Sequence, residues 1–279
     1  MKTLLTRAAW VALAVASGSA PSLAQLQDNS EKQMTCSNGG YDSDGVRHCE
    51  IREQSVPSTG QLTVDSTPNG AATVKGWLRS EVLVRTRVET RAENQAAAAA
   101  MASQVSIDSS GGQVRALGPT STNNSGNNSG WSVSYEIFVP QNTDLNVKTH
   151  NGAITISDVR GQIHFDVSNG AVRLKRVAGD VSGSTSNGAI QAELAGAMWD
   201  GRQMELSTHN GAVTVSMPQH YSAHIKAETS NGGIHSDFPL TLSGELKPRT
   251  LDFNLGSGGP LIHVTTSNGQ VNLKRSEAQ

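Results

Sequence analysis

The chain has 279 residues, a formal net charge of −2 and a charged fraction of 16%. This near-neutral balance offers no basic surface for a phosphate backbone, so the sequence excludes nucleic acid as an expected partner. Only 4% of the residues are aromatic, while 28 are glycine and Asn, Ser and Thr are frequent. That composition favours short strands and tight turns and therefore predicts an all-β fold.

Residues 1–24 carry the signature of a secretory signal peptide. A basic start with Lys2 and Arg7 is followed by an apolar stretch over 8–16 and by the small-residue site Ser22-Leu23-Ala24. No other stretch is long and apolar enough to span a bilayer as a helix, so we expect no transmembrane segment in the mature chain. The predicted location is the periplasm or the cell surface and extracellular space.

Two cysteines, Cys36 and Cys49, lie in a polar segment over residues 25–60. Export to an oxidising compartment makes a disulfide between them the expected pairing. Their spacing matches neither a redox Cys-x-x-Cys motif nor a four-ligand zinc set. A bridge closing so short a loop contributes about 3 kcal/mol in the chain-entropy model.

An Asn-Gly pair recurs along the second half of the chain with similar neighbours, which indicates an internal repeat. Apolar residues alternate with polar ones on both sides of each pair, as in Leu145, Val147, Ile154 and Ile156. Period-two alternation is typical of strands with one buried face, and Asn and Gly both tolerate the positive φ of tight turns. The predicted structural turns are Asn151-Gly152, Asn169-Gly170, Asn187-Gly188, Asn210-Gly211, Asn231-Gly232 and Asn268-Gly269.

Two architectures fit this pattern, a β-solenoid and an antiparallel β-meander. The first three copies follow one another at 18-residue intervals, and a second turn in each unit has an apolar residue at its centre, Val159 or Val177. A solenoid corner can bury such a residue, whereas a tight hairpin turn exposes it. We therefore favour the solenoid, in which stacked units share one interior and the Asn side chains form an amide ladder.

The pattern divides the chain beyond residue 60 into four parts. Residues 61–119 are degenerate β-repeats, with Asn69-Gly70 as half a copy and Val105 to Val114 as another copy that has Gly in the Asn position. An alanine-rich helix over Arg91 to Ser103 is expected to cap the open end of the stack. Residues 120–130 are predicted to be a flexible loop, 131–275 the β-strand repeat domain, and 276–279 a tail.

These repeats resemble a family of exported bacterial β-strand-repeat proteins of unknown function, grouped as candidate adhesins and related to the head GIN domain of autotransporter adhesins. The resemblance covers roughly Leu62 to Arg275 and rests on the [Ser/Thr]-x-Asn-Gly-x-[Ile/Val] copies, on Val177-Ala178-Gly179-Asp180-Val181 and on the segment Leu255 to Pro260. It implies a right-handed β-helix-like fold and an adhesion role, and it supplies no catalytic residues.

No catalytic, cofactor or metal site is predicted. His220 and His224 are separated by strand spacing, about 13 Å, which is too far to share one metal. The outward positions of the repeats mix charges without the paired carboxylates of glycoside hydrolysis. These outward residues are His164, Asp166, Arg173, Lys175, Gln191 and Glu193.

The favoured function is a non-catalytic exported adhesin, or a binding or structural module, whose partner is an envelope glycan or protein. One alternative is a periplasmic sensor or accessory protein of envelope stress signalling. Another is a carbohydrate-active β-helix enzyme, because a site assembled across neighbouring repeats would escape a linear pattern search.

Overall fold

A computed structural model describes residues 34–36, 41–42, 45–119, 129–239 and 249–276. The predicted signal peptide over 1–24 lies outside the described residues, as do 120–128 of the predicted loop and 277–279 of the predicted tail. Within the described ranges, no helix has the length and hydrophobicity needed to cross a membrane.

The described elements are one helix and a series of strands. In chain order they are β1 (Tyr41–Asp42), β2 (Gly45–Pro57), β3 (Gln61–Asp65), β4 (Ala72–Trp77), β5 (Glu81–Ala92), α1 (Gln95–Gln104), β6 (Ser106–Asp108), β7 (Gln113–Leu117), β8 (Gly130–Pro140), β9 (Asp144–Asn151), β10 (Ile154–Ser157), β11 (Arg160–Asn169), β12 (Val172–Lys175), β13 (Ala178–Asn187), β14 (Ile190–Glu193), β15 (Gln203–Asn210), β16 (Val213–Met217), β17 (Ala223–Asn231), β18 (Ile234–Ser236), β19 (Thr250–Leu255), β20 (Leu261–Asn268) and β21 (Val271–Arg275).

The all-β prediction is confirmed, and the strands form two mixed sheets. Sheet 1 has the order β1-β2-β5-β8-β4-β10-β12-β14-β16-β21-β18. Sheet 2 has the order β19-β17-β20-β15-β13-β11-β9-β3-β7-β6. A strand of sheet 2 followed by a strand of sheet 1, such as β9 and β10, makes one rung of a coil.

Successive rungs pair in parallel and in register. Leu145 of β9 lies beside Ile163 of β11, and Ile163 lies beside Val181 of β13. Sheet 1 follows the same rule, with β10, β12, β14 and β16 paired in parallel. The repeats therefore form a β-solenoid-like coil, and the antiparallel-meander alternative is wrong for them.

The two sheets enclose one hydrophobic core that runs from Leu62 to Leu273. Val172 is fully buried while its neighbour Arg173 is exposed, as the alternation predicts. The corner residues Val159 and Val177 are also buried, at 1% and 5% exposure. Each buried aliphatic side chain contributes about 1.5 to 3 kcal/mol, so stacking supplies what a single rung lacks.

The turn glycines are required by close packing between rungs. A Cβ atom on Gly170 would lie 2.0 Å from the carbonyl oxygen of Gly152 in the preceding rung. Among the described residues other than glycine, only Asp158 and Arg176 have positive φ. Of the glycines in the six Asn-Gly turns, only Gly211 has positive φ, at 156°. Positive φ therefore does not explain these turns in general, whereas close contact with the neighbouring rung leaves no room for a side chain in any of them.

The asparagine side chains form a continuous amide ladder along one corner of the coil. From the second asparagine of the ladder onward, each Nδ2 donates to the Oδ1 of the asparagine before it at 2.9 to 3.0 Å. The ladder runs in the order Asn69, Asn151, Asn169, Asn187, Asn210, Asn268 and Asn231. Every amide thus has the same direction along the coil.

Buried threonines two residues before the asparagines satisfy backbone groups inside the same corner. Thr208 Oγ1 donates to the carbonyl of Gly188 at 2.9 Å, and Thr266 Oγ1 donates to that of Gly211 at 2.8 Å. A buried carbonyl without a donor costs about 1 to 3 kcal/mol, which explains a hydroxyl at an otherwise apolar position.

The rungs at both ends of the coil are out of sequence order. The C-terminal rung, β20 and β21, lies between the rung of β15 and β16 and the rung of β17 and β18. At the other end, β3 and β4 lie between the rung of β9 and β10 and the rung of β7 and β8. Antiparallel strands then follow, β19 at the C-terminal end and β5 with β2 at the N-terminal end.

The N-terminal part differs from its prediction in two places. The helix begins at Gln95, after an Asn94 cap whose side chain accepts from the Ala97 N–H, because residues up to Ala92 continue strand β5. The segment from Val105 to Val114 is an antiparallel hairpin of β6 and β7 rather than a repeat copy. Asn69, by contrast, belongs to a complete rung, β3 and β4.

A small cluster also lies on the outer face of sheet 1 at this end, where Trp77, Leu83 and Phe138 pack together. Beside it, Glu136 binds Lys75 Nζ and Arg85 Nη1, both at 2.8 Å. The Arg85 and Glu136 side chains are only 6% and 10% exposed, so this end of the sheet has an ion pair shielded from water on its outside.

Candidate functional site

A groove of about 460 Å³ crosses the outer face of sheet 2. It runs perpendicular to the strands, over β3, β9, β11 and β13, and ends at the start of β15. The strands are about 4.8 Å apart, so the groove is roughly 19 Å long. It is the candidate binding site, since it is a continuous polar depression that neighbouring rungs build together.

The floor of the groove is a row of short polar side chains in register. Thr63 lies beside Asn146, Asn146 beside His164, and His164 beside Ser182. Each projects outward because it alternates along its strand with residues that face the core. His164 Nδ1 and Ser182 Oγ are 3.1 Å apart and share a hydrogen bond.

Asn146 has an unsatisfied polar atom at this floor. Its Oδ1 is buried and has no hydrogen-bond donor in the part of the chain that the structure describes. Such an acceptor costs free energy in the unliganded protein. Because this oxygen is shielded from solvent, a ligand in the groove could donate to it only after the Asn146 side chain turned outward.

The rim of the groove contains two carboxylates that are already hydrogen-bonded. Asp144 Oδ1 accepts the backbone N–H of Gln162 at 2.7 Å. Asp180 accepts the backbone N–H of Arg202 at 2.9 Å and its guanidinium Nε at 2.6 Å. The Arg202 side chain holds the pKa of Asp180 below its ordinary value, so this carboxylate is ionised at neutral pH.

This arrangement suits binding better than acid–base chemistry. A general acid at neutral pH needs a raised pKa, whereas the pKa of Asp180 is lowered. Over the described ranges, no group of three or more His, Cys, Asp and Glu side chains could hold a metal ion. What the groove presents is a series of hydroxyl, amide and imidazole groups.

A second polar cluster lies farther along the same face, at the C-terminal end. His263 contacts Glu228 through Nε2 at 3.1 Å and Glu205 through Nδ1 at 3.8 Å. His224 and Asp252 form another pair at 2.7 Å. The hydrogen bond from His263, aided by Lys226, lowers the pKa of Glu228 despite partial burial. These pairs connect β15, β20, β17 and β19 to one another.

The residues singled out from the sequence lie in different places. His164 is in the groove, while Arg173, Lys175, Gln191 and Glu193 are outward on sheet 1. The turn asparagines and glycines occupy the ladder corner at the far ends of the sheet 2 strands. Two further histidines, His150 and His209, each precede a ladder asparagine in their strands, but β11 and β13 separate them by about 14 Å. Cys36 and Cys49 are joined by the predicted disulfide.

The sequence analysis missed the groove, although a signal for it exists. The outward residue five positions before each asparagine is Asn146, His164 and Ser182 in three consecutive repeats. All three are short and polar, and parallel in-register stacking aligns them. Without the neighbour order of the strands, that shared offset does not show a depression.

Several crystal structures match this chain, each at low sequence identity and low TM-score. A candidate cell adhesion protein from Clostridium sporogenes ATCC 15579 has 12% identity and a TM-score of 0.40, covering 82% of this chain and 100% of its own. A candidate adhesin from Bacteroides fragilis NCTC 9343 has 10% identity and a TM-score of 0.30, covering 82% and 97%. A candidate adhesin from Parabacteroides distasonis ATCC 8503 has 6% identity and a TM-score of 0.29, covering 82% and 98%.

No curated protein matches the sequence significantly. The model of the family described as Toastrack DUF4097 matches residues 92–274, about two thirds of the chain. That range contains the Asn-Gly repeats, the coil they form and most of the strands beneath the groove, and it confirms the resemblance seen in the sequence. This chain belongs to the Toastrack DUF4097 family.

Proposed function

We propose that the protein is a non-catalytic, adhesin-like binding module exported to the cell envelope, and that the groove on sheet 2 binds its ligand. The observation that carries this proposal is the row of outward polar residues, Thr63, Asn146, His164 and Ser182, aligned across four strands. A rigid coil holds this row in place, so little conformational entropy is lost when a ligand binds.

Two further observations support this proposal, one for export and one for ligand binding. The disulfide between Cys36 and Cys49 favours an oxidising compartment, which agrees with the secretory signal in residues 1–24. The carboxylates at the groove rim are held by hydrogen bonds, which favours recognition over proton transfer.

Retention on envelope fractions tests the function. Ser182→Trp places a large side chain on the floor of the groove, beside His164, and should abolish retention of the purified protein on cell-wall and outer-membrane material. Gln191→Trp is the matched control, because Gln191 is an exposed residue of the same rung on the opposite sheet. Equal retention of the two variants would contradict the proposal, and capture of one stoichiometric protein would favour a role in signalling.

We also infer that the coil is right-handed and that export removes residues 1–24. Connections between parallel strands of one sheet are right-handed in nearly all proteins, and the rungs are such connections. A crystal structure checks the hand, and amino-terminal sequencing of the exported protein should begin at Gln25. A left-handed coil or an intact leader would contradict the respective inference.

A further inference from the structure

We propose that the groove binds a neutral, extended polysaccharide that runs across the strands, with about one sugar residue on each rung. This inference rests on the proposed function and adds the chemical class of the ligand. It follows from the spacing of the polar row, from the charge of the lining and from the absence of free backbone groups on a sheet face.

The spacing of the groove matches a repeating sugar chain. Neighbouring strands place one floor residue every 4.8 Å or so. That spacing is close to the length that each residue adds to an extended β-1,4-linked glycan. Successive sugars of such a chain can therefore lie over successive rungs. Neighbouring sugars in such a chain are related by a half turn, so Thr63, Asn146, His164 and Ser182 each meet one sugar, and every second member of the row meets an equivalent edge.

The chemistry of the row also fits hydroxyl groups. The hydroxyls of Thr63 and Ser182 and the amide of Asn146 can each donate and accept a hydrogen bond, as sugar hydroxyls do. If the Asn146 side chain turned toward the groove on binding, its buried Oδ1 would become accessible to a sugar hydroxyl and gain a donor. These groups carry no charge, so they recognise polar ligands by geometry.

The charges at the rim disfavour acidic polymers. Asp144 and Asp180 contribute two negative charges, against one positive charge on Arg202. The guanidinium of Arg202 is exposed but pairs with Asp180, so its positive charge is largely offset before any ligand arrives. A polyuronate or a phosphate-rich polymer would bring further negative charge close to these carboxylates, and we therefore expect a neutral chain.

An extended peptide fits less well. Peptides that add to a sheet do so at an edge, where backbone N–H and C=O groups are free. The groove lies on a face, and the strands beneath it are already paired on both sides with neighbours. A peptide also repeats every 6.6 Å or so on one face, which does not match the rung spacing.

Titration with oligosaccharides of increasing length tests the ligand class. The probes are β-1,4-linked glucose and N-acetylglucosamine oligomers of two to six residues, with maltohexaose as a curved neutral control and polygalacturonate as an acidic one. Affinity should increase with each added residue up to about five, because five strands contribute to the groove, and then level off. His164→Ala should weaken binding roughly three- to tenfold, as the loss of one uncharged hydrogen bond does.

Two outcomes would overturn the proposal. One is preferential binding of polygalacturonate. The other is that no β-1,4 oligomer binds to the folded wild-type protein, although that protein is retained on envelope material and Ser182→Trp abolishes the retention. In the second case the ligand class is wrong while the proposed function stands. If Ser182→Trp and Gln191→Trp retain envelope material equally, the groove has no binding role and both proposals fail.

Discussion

The middle of the coil and its two ends are built by different rules. From β9 to β16 the rungs follow sequence order, pair in parallel and repeat the same buried and exposed positions. At each end the outermost rung is not the terminal one in sequence, and antiparallel strands follow it. A local pattern is enough to specify the middle, whereas the ends depend on contacts between residues far apart in the chain.

This contrast has a physical basis. Exposed edges of parallel strands would pair with other molecules, and repeat coils therefore need atypical ends. Here the N-terminal end adds helix α1, whose Ala98 and Ala102 are fully buried. The C-terminal end adds β19, whose Leu251, Phe253 and Leu255 complete the core. Four substitutions test the contrast.

The largest effect is expected in the middle, from Val172→Asp. The side chain is fully buried among aliphatic residues, and an unpaired carboxylate there costs several kcal/mol, enough to unfold a protein of ordinary stability. Arg173→Ala, one residue away on the outer face, should change the free energy of unfolding by less than about 0.5 kcal/mol. Denaturant melts compare the two, and equal stability would contradict the inside and outside assignment.

The N-terminal end should respond to Glu136→Ala. This change removes the carboxylate that binds both the buried Arg85 and the partly buried Lys75, while Arg85 keeps Glu53 as a partner, and we expect a cost of about 2 to 3 kcal/mol. Glu193→Ala removes the partner of Lys175 in an exposed pair, with a 3.7 Å separation, and should cost about 0.5 kcal/mol or less. Urea unfolding of both variants measures the difference, and similar losses would show that the outer cluster does not stabilise this end.

Gly170→Ala tests whether close packing is what the turns require. The added methyl group would meet the Gly152 carbonyl, so the two rungs must separate, and we expect a loss of about 2 kcal/mol. Gly130→Ala is the control, because a Cβ there meets no atom within 4 Å. If thermal melts show Gly170→Ala to be as stable as Gly130→Ala, conformational freedom rather than contact explains the glycine.

The smallest effect is expected at the C-terminal end, from Glu228→Gln. The pKa of Glu228 is lower in the folded state than the ordinary value of a glutamate, 4.5, so its stabilisation is present above that pH and is lost as the pH falls through the folded pKa. The side chain is about one third exposed, which limits the contribution to about 0.5 kcal/mol. Stability measured between pH 3 and 7 should vary less in the variant than in wild type, and an unchanged profile would contradict the pairing with His263.

Much of the middle could be predicted from the sequence. The alternation around Asn151 and Asn169 identifies the buried residues, and Val159 and Val177 distinguish a coil from hairpins. The reason for the glycines could not be predicted, because a contact between rungs is visible only once their stacking is known. The sequence pattern is compatible with either explanation.

The ends and the groove could not be predicted for a related reason. The repeat copies at Asn231 and Asn268 have the same local sequence pattern. That pattern does not indicate that the rung of Asn268, rather than the rung of Asn231, lies beside the rung of Asn210. Likewise, Trp77 and Phe138 are 61 residues apart in the chain, and their pairing outside the core depends on β4 and β8 being neighbours in sheet 1. Neighbour order in a sheet is a property of the whole chain.

The out-of-order rungs also determine where repeats can be inserted into the coil or deleted from it. Because the first and last rungs in sequence are enclosed by others, extra repeats cannot simply be appended to either terminus. Removal of residues 160–177, one complete turn of the coil, would instead bring β9 and β10 beside β13 and β14, with Asn151 facing Asn187 across equivalent positions. Duplication or deletion of such 18-residue segments would lengthen or shorten the groove by about 4.8 Å at a time and leave both caps intact.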